Sequence, residues 1–320
     1  VRQRRGVRER HSTLRNVQNR FPTMSALPRL FRRQRLLIVG CGDVGMRILR
    51  GLQQRPRPPR IYALTRQPEQ QDALRSAGAV PLCGDLDHVR SLRRLRGLAR
   101  HIIHLAPPPT SGADDKRSRH LLAQLTGTGI KLVYVSTSGV YGNCNGAWVD
   151  ETAPVRPESP RAQRRVAAER QLRRWGEHRQ RRVCVLRAPG IYAAERLPLE
   201  RLRLGLPILH AAEDVYTNHI HADDLARLCW WGLVRGRANR VYNACDNAPL
   251  KMGDWMGQVA YALGLPQPAR QTAAEVRAAV SALQWSFLRE SRQISNRRLL
   301  EEWGLTLRYP QAAAFVAGLG

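Results

Sequence analysis

From Arg35 onward, short apolar runs alternate with segments whose apolar residues recur every three or four positions. The runs RLLIVG, RIYALT, AVPLC, HIIHLA, KLVYVSTS and RRVCVLRAP are apolar on successive residues. That is the pattern of strands buried on both faces. Between them, the helical period predicts helices over Asp43–Gln54, Glu69–Ala77, His88–Leu98, Lys116–Thr126 and Pro160–Trp175. Strict alternation of strand and helix predicts an α/β fold, a doubly wound parallel sheet with helices on both faces. After Pro189 the alternation stops. Short helical stretches, Trp255, Trp285, Trp303 and Pro-containing joints predict a small C-terminal lobe made of residues 190–217 and 247–320. Residues 218–246 are expected to return to the sheet domain of 35–189, with VYNAC as a strand. No internal repeat is visible.

Residues 1–34 are rich in arginine and lack sustained apolar periodicity, so a disordered basic extension is expected there. Met24 stands shortly before the first strand as a second candidate start. With 320 residues, 43% of them hydrophobic, the chain is long enough for a substantial core.

The formal charge of +28 is almost all arginine, since Lys116, Lys131 and Lys251 are the only lysines. Such a surface attracts polyanions, or it is a solvated arginine-rich exterior. The arginines are spread along the chain with little aromatic interleaving, which disfavours nucleic acid as a partner. The six cysteines show no C-x-x-C spacing, and several lie in apolar runs, so no zinc site and a reducing compartment are expected. No apolar run nears the about 18 residues of a membrane span. Arg32 and Arg33 before RLLIVG make a weak twin-arginine pattern, but Asp43 cuts the apolar run short; a cytoplasmic protein is expected.

GCGDVG, Gly40–Gly45, follows the first strand and opens the first helix. Gly40 permits a tight turn, Gly42 admits a pyrophosphate close to the backbone, and Gly45 lets helix and strand approach. The helix start at Asp43 and Val44 offers free N–H groups to phosphate. This is the Rossmann-type dinucleotide fingerprint; the competing reading is a plain glycine turn. The second strand ends Leu64-Thr65-Arg66 with no acid to hold ribose hydroxyls. Thr65 can meet a phosphate oxygen and Arg66 can pair with it, which favours NADP over NAD. In GDLDH, Asp85 is placed to accept from an adenine amino group, with Leu86 beside it; an Asx turn is the competing reading. Ala106 and Pro107 in HLAPPP are expected beside the nicotinamide-side ribose.

The motif STSGVYG, Ser136–Gly142, closely resembles the serine/threonine motif of extended short-chain dehydrogenase/reductases, the sugar-nucleotide epimerase and dehydratase relatives. DETAPVRPESP, LRAPGIYA, NHIHADDLA and VYNACD resemble further motifs of that family in its order, so the resemblance runs from about Arg35 to Pro310. It implies an NAD(P)-dependent oxidoreductase or epimerase-like protein acting on a small molecule, with a nucleotide sugar as candidate substrate. It implies that Thr137 hydrogen-bonds a substrate oxygen and that Pro189 sits beside the cofactor.

The family's tyrosine and, four residues on, its lysine are missing. Aligning VAAER places Arg161 and Arg165 there. A guanidinium stays protonated, so Arg161 cannot serve as general acid or base near neutrality, whereas Arg165 can still offer charge to a ribose or phosphate. Tyr141 and Tyr192 are candidate replacement donors, and both positions are mostly structural or substrate-side in the family. Cys144 is a candidate nucleophile or a loop thiol without a special role. His219 and His221 share one strand face without an evident third ligand, so no metal is expected, and Asp223 and Asp224 are expected to cap the next helix. Two functions stay open: an oxidoreductase with a non-standard proton donor, and a non-catalytic NADP(H)-binding sensor. Oligomeric state is open too, because pairing the arginine-rich 160–175 helix symmetrically would bring like charges together.

Overall fold

The structure is a computed structural model that describes residues 33–178 and 180–319. The expected basic extension therefore lies outside the described residues, except for Arg33 and Gln34. The Gln34 carbonyl already accepts from the Arg60 N–H at 2.8 Å, at the edge of the sheet pairing.

Seven parallel strands form the sheet: β1 Arg35–Val39, β2 Arg60–Thr65, β3 Val80–Cys83, β4 His101–His104, β5 Lys131–Thr137, β6 Arg182–Ala188 and β7 Arg240–Asn243. Their order is β7-β6-β5-β4-β1-β2-β3. The six predicted strands and the returning VYNAC strand are all in it. β3 closes one edge, where Pro81 is tolerated because an edge strand needs fewer ladder donors.

The helices in chain order are α1 Asp43–Gln53, α2 Gln71–Ser76, α3 Lys116–Gln124, α4 Pro160–Gly176, α5 Leu199–Arg203, α6 Ala222–Arg235, α7 Met252–Ala262, α8 Ala273–Ala279, α9 Ala282–Leu288, α10 Arg297–Trp303 and α11 Ala312–Ala317. The two-residue period of β1 divides the core. Leu36 and Ile38 pack with Ile48, Leu49 and Leu52 of α1 and Leu225, Cys229 and Leu233 of α6. Leu37 and Val39 pack with Leu121 and Leu122 of α3 and Ala168 and Leu172 of α4. Each fully buried Leu or Ile contributes about 1.5–3 kcal/mol. Leu299 and Trp303 of α10, together with Leu307, join the first of these layers, so this late segment covers the sheet. A separate core of Tyr192, Leu202, Trp255, Met256, Val259 and Val316 holds the smaller lobe. The described residues from Arg33 onward cluster as one unit.

Two expected helices differ. His88–Leu98 is a 3₁₀ segment, Val89–Leu95. The Ser91 hydroxyl reaches back to the Asp85 carbonyl at 3.0 Å and the His88 carbonyl at 2.7 Å, tightening the turn in place of an α ladder. Glu69–Ala77 begins as a 3₁₀ turn over Pro68–Gln70 before α2.

Candidate functional site

The strand order reverses between β1 and β4, and a crevice opens at the carboxyl ends of the strands there. The glycine loop forms its floor. Gly40 has φ +83°, and a Cβ on it would lie 2.6 Å from the Ala106 nitrogen. A Cβ on Gly45 would lie 2.9 Å from the Cys41 sulfur, so helix and loop touch there. A Cβ on Gly42 would meet nothing within 4 Å. Gly42 thus faces open space at the start of α1, and no side chain caps that helix. A shaped void with uncapped N–H groups fits a pyrophosphate.

The walls of this first cleft come from Leu64, Thr65 and Arg66 after β2, Gly84, Asp85 and Leu86 after β3, and Leu105, Ala106 and Pro107 after β4. Arg66 is exposed and has no carboxylate at ion-pair distance among the described residues. Thr65 differs from expectation. Its hydroxyl donates to Gln70 Oε1 at 2.9 Å and accepts from the Gln67 N–H at 3.1 Å, so it orders the turn that presents Arg66. Asp85 lines the cleft and also forms the Asx turn: Oδ1 accepts from the Asp87 N–H at 2.9 Å, and Oδ2 lies 3.1 Å from His88 Nδ1.

Three residues of the fingerprint leave the cleft wall. The Asp43 carboxylate turns away to accept from Arg47 at 3.0 Å and Arg196 at 3.1 Å. Val44 packs against the sheet core, and Gly45 is buried beneath the loop. Only their backbone N–H groups can serve a phosphate.

Sequence reasoning missed Arg117. It reaches from α3 to grip Asp87 with two bonds, of 2.9 and 2.7 Å, and donates to the Pro107 carbonyl at 3.3 Å. It closes one side of the cleft, and its guanidinium holds the Asp87 carboxyl below the usual range. Nothing in the pattern marks this arginine among the others.

A second cleft lies at the ends of β5 and β6, against the smaller lobe. Thr137 sits at its floor, half-buried, with its oxygen accepting from the Gly139 N–H at 3.2 Å. Pro189, expected beside the cofactor, lines this second cleft. Arg161, in the first turn of α4, lines it with its guanidinium 4.2 Å from the centre of the Phe287 ring.

Arg165 is committed elsewhere. It donates to the Tyr134 hydroxyl at 3.0 Å and the Val135 carbonyl at 2.8 Å, tying α4 to β5, and it lines neither cleft. Tyr141 is corrected as a proton donor. It is 1% exposed, its hydroxyl donates to Asn243 Oδ1 at 2.7 Å, Arg187 lies over its ring, and burial pushes its pKa up to about 12.

Tyr192 and His219 line the second cleft with little exposure, and neither the Tyr192 hydroxyl nor His219 Nδ1 has a hydrogen-bond partner. Burial raises the Tyr192 pKa and lowers that of His219 to about 4, so both are neutral at pH 7. Burial also raises the Cys144 pKa, which disfavours its thiolate. Among the described residues no group of three potential metal ligands converges. His221, not an aspartate, caps α6 by accepting from the Asp223 N–H at 3.2 Å. Asp223 pairs with Arg47, and fully buried Asp224 accepts from the Arg308 and Tyr309 N–H groups at 3.0 and 2.8 Å, fastening the C-terminal segment.

Behind the second cleft lies a buried network that the sequence reading did not find. Glu169 of α4 accepts from Ser136 at 2.6 Å and from Arg187 at 3.2 and 2.7 Å. It locks α4 to β5 and β6. Among the described residues, no helix is long and apolar enough to cross a membrane.

Comparison with known proteins agrees with this geometry. The chain is similar to human dTDP-D-glucose 4,6-dehydratase, with 26% identity over 125 residues; that match spans 37% of this chain and 36% of the human protein, about a third of the length of each. A functionally unknown conserved protein from Silicibacter pomeroyi superposes with a TM-score of 0.71 at 29% identity, over 89% of this chain and 98% of the other. The dTDP-glucose 4,6-dehydratase of Streptomyces venezuelae, solved with NAD and TYD bound, shares the fold with a TM-score of 0.72 at 21% identity, over 89% and 95% of the two chains. The UDP-glucose 4-epimerase of Thermus thermophilus in complex with NAD does so at 0.68 and 21%, over 89% and 98%. The model of the NAD dependent epimerase/dehydratase family matches residues 36–245, which cover β1 to β7 and both clefts' strand ends. By that match, and by a nucleotide crevice built on its own glycine loop, the chain belongs to the NAD dependent epimerase/dehydratase family.

Proposed function

We propose that this protein binds NADP(H) in the first cleft and a small polar molecule in the second, as an oxidoreductase with a non-standard active site. The observation that carries the reading is the Gly42 void at the uncapped start of α1. Backbone N–H groups of the loop and α1 would hold the pyrophosphate. Arg66 would take the 2′-phosphate, which is what favours NADP over NAD, and Ala106 and Pro107 would border the nicotinamide side. When bound, the cofactor supplies or accepts a hydride. In the second cleft, the Thr137 hydroxyl donates to a substrate oxygen and the lobe residues exclude water. Family neighbours solved with UDP-glucose or TYD support a nucleotide sugar as the substrate class.

The acid–base step has no ordinary carrier here. Arg161 lies on the second cleft and Tyr141 is buried away from it. That replacement favours a second reading, an NADP(H)-binding sensor without turnover. Turnover abolished by Thr137→Ala would support the enzyme reading; cofactor binding without turnover on any nucleotide sugar would support the sensor.

The cofactor reading is tested by equilibrium titration with NADPH and NADH of the wild type and Gly42→Asp. The new side chain enters open space, so the fold is spared while its carboxylate repels the pyrophosphate. NADPH should bind more tightly than NADH, and the variant should bind at least about 10-fold more weakly, a loss of about 1.4 kcal/mol. Equal binding by variant and wild type would overturn the assignment.

A further inference from the structure

The second cleft carries a positive charge that its own residues leave uncancelled. Arg161, Arg196 and Arg292 line it against one carboxylate, Glu290. Arg292 pairs with Glu290 at 2.8 Å, and Arg196 pairs with Asp43 at 3.1 Å. Arg161 makes no hydrogen bond and no ion pair among the described residues. The Phe287 ring covers a face of the guanidinium and leaves the N–H edge for a ligand, while Glu290, already paired with Arg292, attracts it from beyond ion-pair distance. Burial depresses its pKa without bringing an arginine near neutrality, so it keeps its charge.

Two independent features mark the same wall. The Tyr192 hydroxyl and His219 Nδ1 are buried polar atoms without partners, on residues only 2% and 4% exposed. Both atoms are sealed behind the cleft surface, so they belong to its wall and offer a ligand no direct contact. The Thr137 oxygen accepts from Gly139 and keeps its proton to give. Trp255, Met252 and Met256 supply an apolar wall for a carbon skeleton.

We infer that the second cleft takes a small molecule bearing a single carboxylate, gripped two-pronged by Arg161, with Thr137 meeting another of its polar atoms. The inference rests on the second cleft being the substrate site, as proposed above, replaces the nucleotide sugar there by a small carboxylate, and does not depend on the cofactor. The charge count sets the class. One uncancelled guanidinium matches a monoanion, and its planar fork matches the two oxygens of a carboxylate. A phosphate dianion would need a second free cation.

The test is a fluorescence titration at 0.15 M salt with matched acid and neutral pairs: D-glucuronate against D-glucose, and glycolate against ethylene glycol, with D-glucose 6-phosphate as a further arm. Wild type, Arg161→Gln and Arg161→Lys are compared, with melting temperature to confirm folding and NADPH titrated in the same preparations. At least one acid should bind 10-fold or more tightly than its neutral partner. Arg161→Gln should remove most of that preference, Arg161→Lys should keep part of it, and NADPH affinity should be unchanged. The inference is overturned if neither acid is preferred, if the preference survives in Arg161→Gln, or if glucose 6-phosphate outbinds glucuronate through Arg161. Absent NADPH binding with an intact acid preference would overturn the cofactor reading alone.

Discussion

Glu169→Gln should be among the most destabilising conservative changes in the chain. Glu169 and Arg187 are 4% and 5% exposed and joined by two hydrogen bonds, with Ser136 as a third donor to the carboxylate. Burial works against the Arg187 charge, and Glu169 more than offsets that, so the Arg187 pKa stands above its ordinary value. The amide keeps the size of the carboxylate and removes its charge, leaving a buried guanidinium without a counter-ion. Breaking a buried pair in this way costs about 3–5 kcal/mol, a factor of more than 100 in the unfolding equilibrium. Ser136→Ala, which spares the pair and removes one charge-assisted donor, should cost about 1.5–3 kcal/mol. Glu169→Gln with Arg187→Met removes both charges and should recover a large part of the loss. Urea unfolding of the three variants and the wild type measures each value. A cost for Glu169→Gln below about 1 kcal/mol, or a double variant no more stable than Glu169→Gln alone, would refute the reasoning.

Two further outcomes follow from the structure. His104 is fully buried, with burial lowering its pKa to about 3 from an ordinary 6.5. The unfolded chain then binds the extra proton, so this contribution is fully present above pH 6.5 and is lost as pH falls toward 3. Between pH 7 and 5 the wild type should lose about 2 kcal/mol more than His104→Gln in urea unfolding, and equal losses would show that His104 is accessible to protons. Arg66→Glu should weaken NADPH about 10- to 100-fold, the worth of one charge-assisted contact, and change NADH by less than about 3-fold. Parallel changes in both titrations would mean that Arg66 does not contact a 2′-phosphate.

The sheet was legible because its inner strands are buried on both faces and so read as unbroken apolar runs, a pattern that the edge strand β3 shares in sequence without being buried. The glycine loop was legible because its requirement is local: Gly40 takes a positive φ against Ala106 within one turn. The second cleft was not, since it gathers residues near 137, 161, 190, 217, 255, 287 and 292 that no spacing relates. Tyr141 was misjudged because its neighbours Arg187 and Asn243 are 46 and 102 positions away, and burial by such partners leaves no local trace. Arg117 and the role of Trp303 under the sheet were hidden for the same reason.

Helix α4 separates its support from its chemistry. Glu169 stands eight positions beyond Arg161, about 12 Å along the axis. The helix is therefore bolted to the sheet through Arg165 and Glu169 and meets the cleft at Arg161. A change at position 161 alters what the cleft can do without loosening the helix that presents it. This makes the first turn of α4 an interchangeable tip on a fixed shaft, and a lineage can trade proton chemistry for charge recognition there while the fold holds still.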